Sequence, residues 1–208
     1  MDSGVHIRPG DVVLDKYRVE RVIGNGGMGF VVAARHVALE ELFAIKLMLP
    51  SFAADPEAQE RFLREARAAA KLKGDHVAKV QDVGCLPDGT SYMVMEYLAG
   101  EDLKKMIRKN GPLPVDLAVE YTLQACRALR EAHGLGIVHR DVKLANLMLV
   151  PLPDGGARVK VIDFGISKHT AAVLDDLTSN NWTGGSPLYM APEQIRSAKR
   201  VDGRADVW

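Results

Sequence analysis

Within residues 139–165 (HRDVKLANLMLVPLPDGGARVKVIDFG), three polar side chains have the types and spacing to handle a metal-bound phosphate: Asp141, Asn146 and Asp163. Asp141 and Asn146 share a short loop after a β-type pair, Ile137 and Val138. Asp163 closes an apolar run through Val159, Val161 and Ile162, just before Phe164-Gly165. Between Asn146 and Asp163, residues 147–150, a Pro-Leu-Pro-Asp-Gly-Gly connection and residues 158–162 read as a hairpin. A hairpin returns its outer ends to one edge, so Asn146 and Asp163 are expected side by side with Asp141 close. Such oxygen donors suit Mg²⁺, which takes one or two protein groups and substrate phosphates. Asp and Asn in loops are most often turn formers or caps. However, His139-Arg140-Asp141 with Asn146 fixes four positions, a coincidence on the order of 1 in 1,000 for such a chain.

A second set of residues also points to phosphate. Gly24-Asn25-Gly26-Gly27-Met28-Gly29 fits G-x-G-x-x-G, but β-type runs flank it on both sides. Dinucleotide-binding folds place that pattern between a strand and a helix, so a Rossmann-type oxidoreductase fails on context. The glycines read instead as a strand-to-strand turn whose N–H groups can approach phosphates without Cβ interference; a plain glycine turn is the competing reading. Lys46 ends an apolar Ala44-Ile45-Lys46 run. A mid-strand lysine usually marks the solvent side of an alternating strand. One that serves phosphate needs an anionic partner, and Glu65 is the best-placed candidate, although Arg61, Arg64 and Arg67 around it also fit a solvated face.

The elements that must carry these residues follow from periodicity. Strands are expected at 12–23, 30–36, 43–49, 77–83 and 91–97. A helix over 56–72 starts with Asp55 as N-cap and Pro56 in its first turn and buries Phe62, Ala66, Ala69 and Ala70. The character changes at Ala99-Gly100. Helices at 102–109 and 114–133 follow, the second with Ala118, Tyr121, Ala125, Leu129 and Ala132 at helical spacing and Gly134 as its stop. A polar loop (168–186), a Pro-rich turn and a short helix near 193–197 come last. The reading is α+β: a lead-in (1–16), a small antiparallel sheet lobe with one helix (17–98) and a larger, mainly helical lobe (99–208).

The 208 residues are 47% hydrophobic and 26% charged, enough for a real core. Lys plus Arg and Asp plus Glu both total 27, which argues against a nucleic-acid binder driven by bulk charge. Cys85 and Cys126 form no C-x-x-C pair and read as buried free thiols of a reducing cytosol. No apolar run approaches membrane-spanning length, so the expectation is a cytoplasmic protein.

The ordered set G24-x-G26-x-x-G29-x-V31, Ala-Ile-Lys46, Arg-Glu65-Ala, H139-R-D141-x-K143-x-x-N146, D163-F-G165 and A191-P-E193 resembles the protein kinase catalytic domain. It is most similar to the bacterial serine/threonine kinases of eukaryotic type. The resemblance spans about Tyr17 to Trp208 and implies the two-lobed kinase fold, ATP and Mg²⁺, and protein substrates with Ser or Thr hydroxyls, the chain itself among them. It places Ile23, Gly24, Asn25, Gly26, Gly27, Met28, Gly29, Phe30 and Val31 over the nucleotide and pairs Lys46 with Glu65 at the α/β-phosphates. Met95 becomes the gatekeeper, Glu96 to Leu98 the adenine-binding hinge, and Val31, Ala44 and Met148 the groups that sandwich the base. Asn146 and Asp163 hold Mg²⁺, Asp141 accepts the substrate proton, and Lys143 steadies the γ-phosphate. Arg140 implies control by activation-loop phosphorylation at Thr178, Ser179 or Thr183, with Thr178 preferred, and Ser186 stands where the family more often has Thr. Leu144 replaces the usual Pro. In the family Asp206 opens a long buried helix that braces the His-Arg-Asp loop, so the larger lobe is expected to be incomplete. The alternative reading is a catalytically impaired, ATP-binding or scaffold fragment.

Overall fold

The computed structural model describes residues 7–26, 29–164, 189–196 and 201–208. The chain divides into two units: Met1–Lys71 with Lys79–Tyr97, and Leu72–Ala78 with Leu98–Trp208. Residues 72–78, expected to stay with the small sheet, instead group with the second unit.

The first unit is built on a six-stranded antiparallel sheet: β1 (Val12–Val13), β2 (Tyr17–Gly26), β3 (Gly29–His36), β4 (Leu42–Met48), β5 (Val80–Cys85) and β6 (Ser91–Glu96), in the order β1-β2-β3-β4-β6-β5. Where one strand was expected over 12–23, Leu14 and Asp15 stand at positive φ (53° and 57°) and split off β1. Strand β2 then continues through the glycines, with Gly24 paired to Val31, Asn25 to Phe30 and Gly26 to Gly29. The expected six-residue turn is therefore mostly strand; Gly27 and Met28 lie outside the described residues. Two register shifts in β2 explain its loose alternation and the exposure of Val22 and Ile23.

One face of the sheet packs Val19, Val32, Ala34, Phe43, Ile45, Leu47 and Val94 into a core. Helix α1 (Pro50–Ala53) was not foreseen. Helix α2 (Pro56–Ala69) starts as expected: the Asp55 carboxylate accepts from the Glu57 N–H at 2.9 Å and Pro56 follows. It buries Ala58, Phe62, Ala66 and Ala69 and packs against β5 and β6.

The second unit holds β7 (Glu101–Asp102), α3 (Leu103–Asn110), α4 (Val115–Gly134), the hairpin β8 (Leu147–Pro151) and β9 (Ala157–Val161), and α5 (Pro192–Arg196), with sheet order β7-β8-β9. Ile137 and Val138, expected as strand, belong to no regular element. The glycine that stops α4 is Gly136 rather than Gly134. It has φ +71°, its N–H donates to His133 O, and the Ile137 N–H reaches Ala132 O. Those two bonds need a left-handed residue just past the C-cap, which glycine supplies without a Cβ penalty.

The outer edge of β9 would be a row of unpaired backbone groups, and other segments cover it. Gln124 of α4 accepts from the Val159 N–H at 2.7 Å and donates to Ala157 O at 3.4 Å. His76 Nδ1 meets Val159 O at 3.0 Å, the Val161 N–H donates to His76 O, and the Ala78 N–H to Val161 O. Upstream, the Glu131 carboxylate accepts from the Lys73 and Gly74 N–H groups. These bonds are what tie 72–78 to the second unit. Among the described residues no helix is long and apolar enough to cross a membrane.

Candidate active site

The hairpin does what its sequence requires. Leu147 pairs with Val161, and the Ile162 N–H donates to Asn146 O at 3.0 Å, so Asp163 follows directly on the residue that Asn146 holds. Upstream of β8 a 3-10 turn (Leu144–Asn146) brings Asn146 back onto the loop; its Nδ2 donates to Asp141 O at 2.8 Å and to Asp141 Oδ2 at 3.1 Å. Lys143 Nζ donates to the same Oδ2 at 2.9 Å. Asp141, Lys143 and Asn146 thus form one contiguous cluster, an oxygen acceptor steadied by a cation and an amide. Leu144, where a proline would be usual in the resemblance, opens the 3-10 turn without disturbing that cluster.

The loop before Asp141 is set from below. The Asp206 side chain is fully buried and accepts three donors: His139 N–H at 2.8 Å, Arg140 N–H at 2.7 Å and His133 Nε2–H at 2.7 Å. Gly203 makes room for the last, since a Cβ there would lie 2.8–3.0 Å from the His133 ring. The His139 ring is wholly buried, 4.8 Å from the Phe164 ring. Its Nδ1 accepts from the Asp141 N–H at 3.2 Å, so Nε2 carries the proton and donates to Ile162 O at 3.1 Å. Burial pushes this imidazole below its ordinary value of 6.5 and outweighs the opposing pull of the Ile162 carbonyl and the nearby carboxylates. One neutral ring therefore links the loop to the strand end that carries Asp163. Arg140 (φ 63°) and Asp163 (φ 52°) both stand in the left-handed region, a strain that persists only where surroundings over-determine it.

For a hard cation the donor set fits. With Nδ2 committed to Asp141, Asn146 offers its carbonyl oxygen, and Asp163 offers an exposed carboxylate. Two oxygens are what Mg²⁺ takes from a protein when phosphates complete its shell.

In the first unit the ladder aligns Gly24, Val31, Lys46 and Met93 in one row and Ala33, Ala44 and Met95 in the next. Because side chains alternate along strands, Val31, Ala44, Lys46 and Met95 share the sheet face opposite the Ile45–Val94 core. Phe30 falls on the other face and packs against that core, apart from the residues it was grouped with. Asn25 and Ile23 are exposed near the end of β2, and Gly29 sits so close to Leu47 O that a Cβ would collide with it. Glu65 lies half-buried on α2. Glu96 is fixed twice, its N–H to Lys79 O at 2.9 Å and its carboxylate to the Lys79 N–H at 2.7 Å. In the second unit Leu98 O accepts from Gly100 N–H, and Met148 pairs with Lys160 and Asp102. Gly165, Thr178, Ser179, Thr183 and Ser186 lie outside the described residues.

Sequence reasoning missed His133 and Gln194. Their partners lie 73 and 54 residues away, and nothing in the local pattern around either marks it.

The protein kinase domain model matches residues 17–208. The chain is 39% identical over 201 residues to the serine/threonine-protein kinase pkn3 of Myxococcus xanthus, covering 96% of this chain and 37% of that protein. It is 38% identical over 197 residues to serine/threonine-protein kinase PknB of Mycobacterium tuberculosis, covering 93% and 31%. It therefore spans about a third of the length of these curated relatives. Among solved structures, the PknI kinase domain of Mycobacterium tuberculosis matches with a TM-score of 0.73 at 33% identity, covering 96% of this chain and 72% of that one.

Proposed function

The chain belongs to the protein kinase family, and on that premise we propose that it transfers the γ-phosphate of ATP to serine and threonine hydroxyls of proteins. The observation that carries this reading is the cluster of Asp141, Lys143 and Asn146 beside the hairpin that ends at Asp163. Phosphoryl transfer asks a protein mainly to aim the nucleophile and to neutralise phosphate charge. Asp141 does the aiming: it accepts the hydroxyl proton as the oxygen attacks phosphorus. Lys143, already bonded to that carboxylate, also meets the γ-phosphate, so the base and the phosphate share one cation. Asn146 and Asp163 would hold Mg²⁺, which when bound neutralises the phosphate oxygens.

Lys46, with Glu65 as its counter-ion, contacts the α/β-phosphates under the glycines of β2 and β3. The family resemblance assigns Val31, Ala44 and Met148 to the adenine base, Met95 to the gatekeeper position and the backbone of Glu96 to Leu98 to the hinge. Arg140 takes up a phosphate on the segment between Asp163 and Ala191, with Thr178 as the preferred site, so the chain is among its own substrates. Cys85 and Cys126 are free thiols, exposed where burial was expected, and with an ATP-dependent reaction they support a cytoplasmic location for this domain.

The test is transfer of label from γ-labelled ATP with Mg²⁺ to a generic serine- and threonine-containing protein, comparing the chain with Asp141→Asn. Transfer that falls by at least two orders of magnitude in the variant supports the reading. Binding of ATP by folded protein without transfer refutes it and leaves a nucleotide-binding module.

A further inference from the structure

Arg140 directly precedes Asp141, and its backbone is held on both sides by side chains from distant segments. Its N–H donates to Asp206 Oδ1 at 2.7 Å. Its carbonyl accepts from Gln194 Nε2 at 2.8 Å. Between those two bonds φ is 63°, a left-handed value that a residue with a side chain adopts only when held. Gln194 is itself fixed: it is 8% exposed, its Oε1 accepts from the Ala191 N–H at 3.1 Å, and its own N–H donates to Ala191 O at 2.9 Å.

The chemistry of this bridge is selective. Ala191 presents an N–H and Arg140 a C=O, so the group between them must accept with one terminal atom and donate with the other. A carboxamide does so with a single orientation, which its partners determine. A carboxylate can take the N–H but cannot donate to the carbonyl, and an apolar side chain of the same length does neither.

We propose that Gln194 is a positioning residue for phosphoryl transfer: it locks the left-handed Arg140 peptide and so couples the start of α5 to the direction of the Asp141 carboxylate. This rests on the kinase reading above. Gln194 touches neither nucleotide nor hydroxyl in that reading; it acts through Arg140. Its loss lowers turnover while leaving ATP affinity alone, because the nucleotide residues on β2, β3 and β4 do not depend on it.

The experiment compares the chain with Gln194→Glu and Gln194→Met by steady-state transfer to a serine peptide and by amide hydrogen exchange resolved at Arg140, Asp141 and the β8–β9 hairpin. In both variants kcat is expected to drop about tenfold with the KM for ATP unchanged within about twofold. Exchange at 140 and 141 should quicken about tenfold while the hairpin amides keep their protection. Unchanged exchange at 140 and 141, unchanged kcat, or a loss of protection shared equally by the hairpin overturns the proposal. Gln194→Glu, nearly isosteric, decides the matter if Gln194→Met does not fold. If the unmodified chain transfers no phosphate, the kinase reading fails on its own, and the exchange comparison still decides whether Gln194 sets the loop.

Discussion

Replacing Asp206 with Asn changes one atom of a fully buried carboxylate that accepts three N–H donors. The best the amide can do is to keep its oxygen at the Oδ2 position, where His139 N–H and His133 Nε2–H both arrive. The NH₂ then faces the Arg140 N–H, donor against donor, and that N–H is left without an acceptor. A hydrogen bond to a charged group contributes about 1.5–3 kcal/mol, and the two retained bonds lose part of their strength with the charge. The expected loss is about 2–4 kcal/mol, a large share of the 5–15 kcal/mol typical of a domain. Urea titration followed by circular dichroism at neutral pH measures it, with unchanged m-value as the sign that only stability moved. Gly203→Ala serves as a partial version, since its Cβ pushes the His133 ring off Asp206 and leaves both backbone bonds in place. A loss under about 1 kcal/mol for Asp206→Asn would refute the argument that this carboxylate sets the loop.

Two further perturbations follow from the same geometry. His139 is held neutral below its ordinary value of 6.5, so in acid the unfolded chain binds a proton that the folded chain refuses. Its contribution to stability is complete above about pH 6.5 and is lost as pH falls toward the lowered folded value, at up to about 1.4 kcal/mol per pH unit. Urea midpoints from pH 7.5 to 5 should reveal this slope, and His139→Phe should lack that part of it. Gly29→Ala forces a Cβ against Leu47 O across the β3–β4 ladder. The strands must part, which costs about 1–3 kcal/mol and raises the KM for ATP by more than it lowers kcat; a Tm within one degree of the parent would contradict this.

What the sequence reveals and conceals divides along the range of the forces involved. The β8–β9 hairpin, the Asp55 cap and the helices are legible because alternation, turn residues and capping act between near neighbours. Asp141, Asn146 and Asp163 are legible for the same reason: a hairpin of ordinary length brings its own ends together. Strand β2 is misjudged at its glycines because β3, not local propensity, extends the ladder to Gly26. Gly136, not Gly134, stops α4 because only the position after the C-cap needs positive φ. Residues 72–78 join the second unit because the open edge of β9 needs partners. Gln194 and His133 are invisible for a deeper reason, since each acts on a backbone far along the chain and leaves no pattern near itself.

The reach of Asp206 also sets an order of events during synthesis. The loop at 139–141 leaves the ribosome 66 residues ahead of the carboxylate that will hold the Arg140 N–H. At 5–20 residues per second that gap lasts about 3–13 s. The hairpin, being local, closes on a timescale of microseconds, so Asn146 and the residues before Asp163 come together early. The Asp206 brace on the loop at 139–141 does not form until later. A nascent chain therefore passes through a stage in which the β8–β9 hairpin can exist while the peptide before Asp141 still lacks its carboxylate acceptor, and the loop is set only when the last part of this region has been made.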